Sequence, residues 1–505
     1  MERGEKVHWA DVIAEELIAT GRKQVVATGI SPSGPIHIGN LREVITADAI
    51  YRALRDRGAE DARLIYVADT FDPLRRVYPF LPDSYAEYVG SPISTIPDPE
   101  GCCKNYAEHF LQPFLESLDE LEIEIEVYRA DLMYAKGDYD EAILKALRMR
   151  DRIASIIDEV TGKVTSHDWS PFNPICKRCG RLTTTTVTDF DPQQMRAGYI
   201  CQCGEEGEVP IRGGGKLTWR VDWPARWEIL GVTAEPFGKD HASAGSSYDS
   251  GIRLSKEIYN YEPPYPIPFE HVLLKGKGSM SSSKGVAITV SEMLSCIPPE
   301  ILKYIMIRVK PEKHIELDPA LPLLNLIDEY ERLDPASDRS KELSATEKSL
   351  RIDIPFRHII NIVQIAGFDA EKALEVIKRG GYKLDDLEII DRYSAYARSW
   401  LERFAPQSLR FELQEDVPPE ASEIPQNVRE GLNELADFLT QADLDAEMVH
   451  QEIYAIATRL GIKPKELFAG IYLALLGRRS GPRAGWFLVS LDREFVIERF
   501  RAITT

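Results

Sequence analysis

The sequence predicts an α/β protein in two parts, a parallel-sheet domain interrupted by a cysteine module and then an all-α half. Three observations carry this. Short apolar runs at 25–29 and 64–68 flank a stretch of helical period, and four cysteines fall in two tight pairs between positions 176 and 203. After about Pro298 strand signals fade and amphipathic helical patterns take over. With 505 residues the chain is too long for one ordinary domain. Its 44% hydrophobic and 28% charged residues fit a folded globular protein. Seven cysteines in such a length exclude a small disulfide-stapled scaffold.

Taken in order, the N-terminus through Glu15 and Glu16 is acidic and lacks the apolar core of a secretory signal. The longest apolar stretch, Phe468 to Leu476, is too short for a bilayer, so a cytoplasmic protein with no membrane partner is expected. Val25-Val26-Ala27-Thr28-Gly29 reads as a buried strand ending at Gly and Pro punctuation. From Ile38, apolar Leu41, Val44, Ile45, Ala47, Ile50, Tyr51 and Leu54 recur at helical spacing, with Gly58 as a stop. Leu64-Ile65-Tyr66-Val67-Ala68 completes a βαβ unit of the Rossmann type. Residues 72–101, rich in proline and aromatics, read as an irregular cover over one end of the sheet. Glu122 to Tyr128 alternates strictly and predicts a strand with one wet face. Between about 165 and 215 the paired cysteines, a Thr run and Gly213-Gly214-Gly215 read as an inserted metal-ordered module. Helices are expected near 353–364, 384–404, 427–441, 444–460 and 464–476.

Lys plus Arg come to 61 against 81 Asp plus Glu, a formal charge of −20. That excludes indiscriminate adhesion to nucleic acid, and no DNA partner is expected. The excess is concentrated. Residues 412–447 hold 11 acidic side chains against Arg429 alone, while the last 30 residues carry six Arg against three acids.

The segment Ser31-Pro32-Ser33-Gly34-Pro35-Ile36-His37-Ile38-Gly39-Asn40 falls where a Rossmann-type sheet receives ligands, between the first strand and the first helix of the unit. A helix N-terminus offers N–H groups and positive dipole, glycines admit a ligand, and His37 and Asn40 are read as two donors one turn apart. It is not a Walker loop, which needs Gly-Lys-Ser/Thr. Pro-Ser-Gly-x-x-His-Ile-Gly-Asn resembles the HIGH signature of class I aminoacyl-tRNA synthetases and related nucleotidyltransferases, with Asn40 replacing the last His. About 240 residues later, Lys275-Gly276-Lys277-Gly278-Ser279-Met280-Ser281-Ser282-Ser283-Lys284-Gly285 resembles the KMSKS loop. It is a strip of hydroxyls and lysines suited to charge building on a pyrophosphate leaving group. Ser279 and Ser282 replace both lysines of that motif, which leaves Lys284 first and Lys277 next as the working cation.

The resemblance implies amino-acid activation by ATP with Mg²⁺, then transfer to tRNA. It implies His37, Asn40, Ser281, Ser283 and Lys284 as catalytic residues, and Pro32, Ser33, Gly34, Gly39, Lys277 and Met280 as further ATP contacts. The stretch from Lys216 through Trp219, Asp222, Trp223, Arg226 and Trp227, with Glu235-Pro236-Phe237-Gly238-Lys239-Asp240-His241, is most similar to the class I lysyl-tRNA synthetases. Gly29-Ile30-Ser31, Ala68-Asp69-Thr70-Phe71-Asp72-Pro73-Leu74-Arg75 and the ending Gly477-Arg478-Arg479-Ser480-Gly481-Pro482-Arg483 share that similarity. The implied substrates are L-lysine and tRNA(Lys). An ammonium side chain needs carboxylate or aromatic partners, for which Asp240, Glu270, Trp219 and Trp223 are candidates. Gly29 and Ser31 would hold the α-amino and carboxylate end, and His241 the substrate or ribose. The blander reading puts Trp223 and Trp227 in the core and pairs Asp222 and Asp240 with nearby Lys and Arg.

Cys176-x2-Cys179 and Cys201-x-Cys203 supply four thiolates in a zinc-ribbon-like pattern, expected to hold a structural Zn²⁺. Cys102, Cys103 and Cys296 lack such spacing and read as ordinary packing residues. The expected organisation is a Rossmann catalytic domain over 1–165 and 216–297, a zinc-binding module over 166–215 and a helical stem-contact region over 298–345. An all-α anticodon-binding domain, an α-helix cage, follows over 346–505, where Tyr393, Trp400, Arg478, Arg479, Arg483 and Trp486 offer stacking planes. A glutamyl-type synthetase shares these signatures but needs a basic partner for its substrate. A non-catalytic tRNA-binding paralogue would fit the altered KMSKS-like loop.

Overall fold

The computed structural model describes residues 7–280, 287–347 and 352–504. In chain order, α1 (Trp9–Ala19) precedes β1 (Val25–Ile30), α2 (Ile38–Asp56) leads to β2 (Arg63–Ala68), and α3 (Tyr106–Glu120) leads to β3 (Glu126–Arg129). Helices α4 (Ala130–Lys136), α5 (Asp140–Arg148) and α6 (Arg150–Thr161) carry the chain into a β-rich insertion. Its strands are β4 (Phe172–Pro174), β5 (Thr185–Asp191), β6 (Arg196–Cys201), β7 (Glu206–Pro210) and β8 (Gly215–Leu217). Then α7 (Trp219–Leu230) leads to β9 (Ala234–Gly238) and α8 (Ser247–Leu254) to β10 (Tyr265–Phe269). A small sheet follows from β11 (Val272–Leu274), β12 (Gly278–Ser279) and β13 (Ile315–Leu317).

The main sheet has the order β10-β9-β1-β2-β3, and every pairing in it is parallel. β1 and β2 pair in register from Val25 opposite Arg63 to Ile30 opposite Ala68. Both are almost wholly buried, as apolar strands covered by helices on two faces must be. From β1 the chain first builds outward through β2 and β3 and then returns to the other flank for β9 and β10. The direction of growth therefore reverses beside β1, and the crevice at the strand ends there is where such sheets take ligands.

The strand expected from Glu122 begins only at Glu126. Glu122 has φ 50°, and the Ile123 N–H bonds back to Leu118 O at 3.0 Å to close α3, so the first alternating residues are spent on the turn. The wet face is present. Glu126 on this edge strand takes a two-point ion pair from Arg63. Residues 72–101 contain one 3₁₀ turn, Asp83–Tyr88, and pack Leu74, Leu81, Tyr85, Ile93 and Ile96 against Tyr106 and Phe110 of α3.

In the insertion β5, β6 and β7 form an antiparallel meander, while β4 pairs antiparallel with β8 to close entry onto exit. The glycine triplet serves that closure. A Cβ on Gly214 would stand 2.0 Å from Pro210 O and one on Gly215 2.4 Å from Asn173 O.

Beyond Pro298 the described chain is helical apart from β13, a strand not anticipated there. Helices at Phe356–Ile365, Leu387–Arg403, Gln426–Phe438, Ala446–Arg459 and Pro464–Leu476 match the amphipathic stretches, and Pro299–Ile307, Leu321–Arg332, Arg339–Ser344, Ala370–Arg379, Ala484–Ser490 and Arg493–Thr504 are additional. The chain divides into two compact units. One comprises Met1–Met293, Pro299–Leu317 and Leu333–Glu347; the other comprises Leu294–Pro298, Asp318–Arg332 and Lys348–Thr505. Among the described residues no helix is long and apolar enough to cross a membrane.

Candidate active site

His37 is the N-cap of α2. Its Nδ1 accepts the N–H groups of Gly39 (3.1 Å) and Asn40 (3.3 Å), and Asn40 Oδ1 accepts the His37 N–H at 3.3 Å, a reciprocal capping box. This differs from the expectation that this terminus is open to an anion: the Ile38 N–H also bonds to Ile288 O at 3.1 Å. His37 is a donor only at Nε2. Burial pushes its imidazole down to about 4, so the ring is neutral near pH 7, and with Nδ1 accepting, the proton sits on Nε2. Gly39 is glycine for space, since a Cβ there would lie 2.9 Å from the His37 ring. At Gly34 a Cβ would lie 2.7 Å from the Phe80 ring. Pro32 is buried and Ser33 part-exposed, with Ser33 O accepting the Tyr106 hydroxyl at 2.7 Å.

The two signatures meet although far apart in sequence. His37 bridges antiparallel to Thr289, the Val290 N–H reaches Ile36 O at 3.3 Å, and the Met280 methyl lies 3.8 Å from where a Gly39 side chain would start. Lys277 is exposed in the turn between β11 and β12, its N–H bonded to Leu274 O at 2.9 Å, with Gly276 and Gly278 at positive φ. Ser281, Ser282, Ser283 and Lys284 lie outside the described residues.

Gly29 and Ser31 close β1 beside a dense charged layer. Arg226 ion-pairs with Asp69 and lies 3.1 Å from Asp222; Lys216 ion-pairs with Asp222 and lies 3.5 Å from Asp72. Tyr134 and Tyr139 donate to Asp222 at 2.8 and 3.3 Å. Both cations are thereby consumed, which bears out the pairing expected for Asp222. Gly29 sits against this layer, its N–H bonded to Glu43 Oε1 at 2.8 Å and a Cβ position 3.2 Å from Arg226 Nη1. Burial lifts the Glu43 carboxyl well above its ordinary range, opposed by the Gly29 N–H and reinforced by Glu235 and Asp69.

Across this layer stands an aromatic cluster. Trp219 and Trp223 stack with centroids 5.3 Å apart, and His241 lies 6.1 and 5.6 Å from them. Trp223 and Trp227 are both buried, as the blander reading had it, and their indole N–H groups converge on Glu235 at 3.0 and 2.6 Å. Burial outweighs those two donors and pushes Glu235 up to about 7. Glu43 and Glu235 were not picked out from sequence. The signals existed: Glu43 is one helical turn from Asn40, and tryptophans at i and i+4 present two N–H groups that need a shared acceptor.

The other candidate carboxylates lie on the sheet's rim. Asp240 is exposed and 3.8 Å from His271 Nε2, and Glu270 is held by Lys239 (2.6 Å) and His314 (3.2 Å). The four thiols of Cys176, Cys179, Cys201 and Cys203 all lie within 4.8 Å of one another, with Cys176 to Cys203 at 3.6 Å and Cys179 to Cys201 at 3.7 Å. Four sulfurs at that spacing fit a tetrahedral zinc. In the helical unit, Trp400 and Tyr393 are core, whereas Arg479 and Arg483 are exposed and paired with Glu423 and Glu447.

A dinucleotide-type sheet whose switch point carries a HIGH-like loop, joined by Met280 to a KMSKS-like strand, defines a class I aminoacyl-tRNA synthetase architecture. Residues 7–353 match the family described as tRNA synthetases class I (K), and residues 400–504 match the anticodon binding domain family. A lysine--tRNA ligase of Archaeoglobus fulgidus is 53% identical over 98% of this chain and 100% of its own, and one of Methanosarcina barkeri 51% over 98% and 97%. The chain belongs to the class I lysyl-tRNA synthetase family. Among solved structures, a glutamate tRNA ligase of Elizabethkingia meningosepticum aligns over 96% of this chain and 99% of its own at 15% identity, with a TM-score of 0.46.

Proposed function

We propose that this protein attaches L-lysine to tRNA(Lys) in two steps, forming lysyl-adenylate from ATP and then transferring the lysyl group to the terminal ribose. The observation that carries the choice of lysine within the class is the match of residues 7–353 to the class I (K) family, with 53% identity to a lysine--tRNA ligase over 98% of the chain. Around Gly29 both cations, Lys216 and Arg226, are already paired with Asp69, Asp72 and Asp222, while burial holds Glu43 and Glu235 toward their neutral forms. A substrate carboxylate finds no free cation among these groups, whereas an ammonium finds carboxyl oxygens that can accept its hydrogen bonds. This disfavours the glutamyl-type reading.

In this mechanism Gly29 and Ser31 hold the amino-acid backbone, with Trp219, Trp223 and His241 as an aromatic wall and Glu43 as the carboxylate nearest Gly29. Asp240 and Glu270 serve the rim and the approach of substrate. His37 donates from Nε2 to a phosphate oxygen as charge grows there, with Asn40 fixing the cap that orients it. Pro32, Ser33, Gly34, Gly39 and Met280 shape the nucleotide cleft, and Ser281, Ser283, Lys284 and Lys277 grip the leaving pyrophosphate. Mg²⁺ accompanying ATP supplies further charge neutralisation. Cys176, Cys179, Cys201 and Cys203 would hold a structural Zn²⁺ that closes all four sites to chemistry. We assign the catalytic domain to 1–165 and 216–297, the zinc module to 166–215, a stem-contact region to 298–345 and anticodon binding to 346–505, in a cytoplasmic enzyme.

The test is charging. Incubated with ATP, Mg²⁺ and tRNA(Lys), the protein should form lysyl-tRNA on acid gels and leave tRNA(Glu) with glutamate uncharged. Charging of the glutamate pair alone would establish the alternative, and tRNA binding with no charging the paralogue.

A further inference from the structure

We propose that Arg42 is a positioning residue that fixes the root of the KMSKS-like hairpin against the helix carrying His37. The inference rests on the reading in which that hairpin grips the leaving pyrophosphate. Arg42 lies on α2, one and a half turns beyond His37, and is 1% exposed. Its guanidinium hydrogen-bonds to main-chain oxygens. Nη1 donates to Glu270 O and, at 3.5 Å, to His271 O; Nη2 donates to Lys310 O, Pro311 O and Lys313 O at 3.4, 3.1 and 2.7 Å. Those carbonyls come from two segments, and both segments are entrances to one small sheet. Glu270 and His271 immediately precede β11, and Lys310 to Lys313 precede β13. β11 pairs parallel with β13 and antiparallel with β12, which ends at Ser279 beside Met280. The two entrances are also fastened to each other, by the Glu270 N–H on Pro311 O at 2.9 Å and the Glu270 carboxylate on His314 at 3.2 Å.

The returning end of the hairpin is held at the start of the same helix. His37 bridges to Thr289, the Ile38 N–H reaches Ile288 O at 3.1 Å, and the Val290 N–H reaches Ile36 O at 3.3 Å. The chain from 272 to 290 therefore departs from one attachment to α2 and comes back to another, with about 7 Å of helix between them. Main-chain partners transmit that spacing directly, because a carbonyl has no rotamers with which to follow a displaced donor. The helix thus acts as a rigid spacer between the Nε2 donor of His37 and the hydroxyls and lysine that follow Met280. A planar fork with donors on two nitrogens spans both entrances at once, which the single ammonium of a lysine does not reproduce. Pyrophosphate leaves in the first half-reaction, so this placement bears on adenylate formation and not on the later attack by the tRNA ribose.

Full-length Arg42→Lys should form lysyl-adenylate at least about tenfold more slowly in single turnover, since small misplacements of reacting groups cost at least that much. Its KM for lysine, and its rate of transfer from supplied synthetic lysyl-adenylate to tRNA(Lys), should stay within about twofold of the wild type. Equal losses in both half-reactions would mark general damage and overturn the proposal, as would undiminished activation. A second readout needs no activity. Lys275 and Lys277 are exposed on the hairpin, and trypsin should cut after them severalfold faster in the variant, with cutting after the exposed Lys163 unchanged. Unaltered cleavage at the hairpin contradicts the anchor. If the wild-type protein activates no lysine, the lysine reading fails, and the protease comparison alone still decides the role of Arg42. Should Arg42→Lys not fold, Arg42→Gln is put through both assays. Failure of both variants to fold would make Arg42 a support of the whole domain and overturn a role confined to the hairpin.

Discussion

His37 uses its two ring nitrogens for different ends: Nδ1 holds the helix terminus and Nε2 is left as a donor. His37→Ala should lower the rate of lysyl-adenylate formation at least about a hundredfold in single-turnover assays. Because the ring stays neutral down to about 4, any loss of rate between pH 7 and 6 belongs to another group. Glu43→Gln should raise the KM for lysine severalfold and leave that for ATP nearly unchanged, as loss of one acceptor oxygen at the Gly29 N–H predicts. Glu235 is a pH probe. Its carboxyl moves from an ordinary 4.5 to about 7, so between those values the folded chain holds a proton the unfolded chain has lost. Its contribution to stability is thus full below 4.5 and fades as pH rises through 7, and denaturant titrations at pH 5 and 8 should show a smaller difference for Glu235→Gln than for the wild type. The residues legible in sequence were those embedded in motifs, such as His37 and Gly39. Glu43 and Glu235 were not, because their importance arises from sheet topology that brings separate segments to the end of β1.

At the scale of elements, β1 and β2 were legible because burial on both faces leaves an unbroken apolar signature, and α2 because its apolar residues recur at helical spacing. The start of β3 was misplaced because alternation cannot distinguish a strand from a turn of alternating residues; the positive φ of Glu122 decides it. Ala370–Arg379 escaped notice although strongly amphipathic, being short and bounded by Gly367 and Gly380. The insertion was legible through cysteine spacing, and the four thiols that its fold brings together have the closeness a tetrahedral metal site needs. Chelation should therefore expose residues 166–215 to protease well before the rest of the chain is cut, read by mass spectrometry of the fragments. Equal resistance with and without chelator would remove the metal from the account of that fold.

For the whole molecule the charge of −20 is compatible with a nucleic-acid partner because half of it lies between 412 and 447. Selective binding through remaining basic groups should be salt-sensitive, with tRNA(Lys) affinity dropping at least about tenfold between about 50 and 200 mM salt in filter-binding assays. The acidic segment should keep affinity for unrelated RNA low throughout. Family membership and the absence of an unpaired cation among Lys216 and Arg226 around Gly29 point to the same substrate, a cationic amino acid. The most direct measurement is amino-acid-dependent ATP–pyrophosphate exchange with tRNA(Lys) and tRNA(Glu) both present. Exchange that responds to lysine and not to glutamate is the predicted result; exchange driven by glutamate, or by neither, would contradict the account.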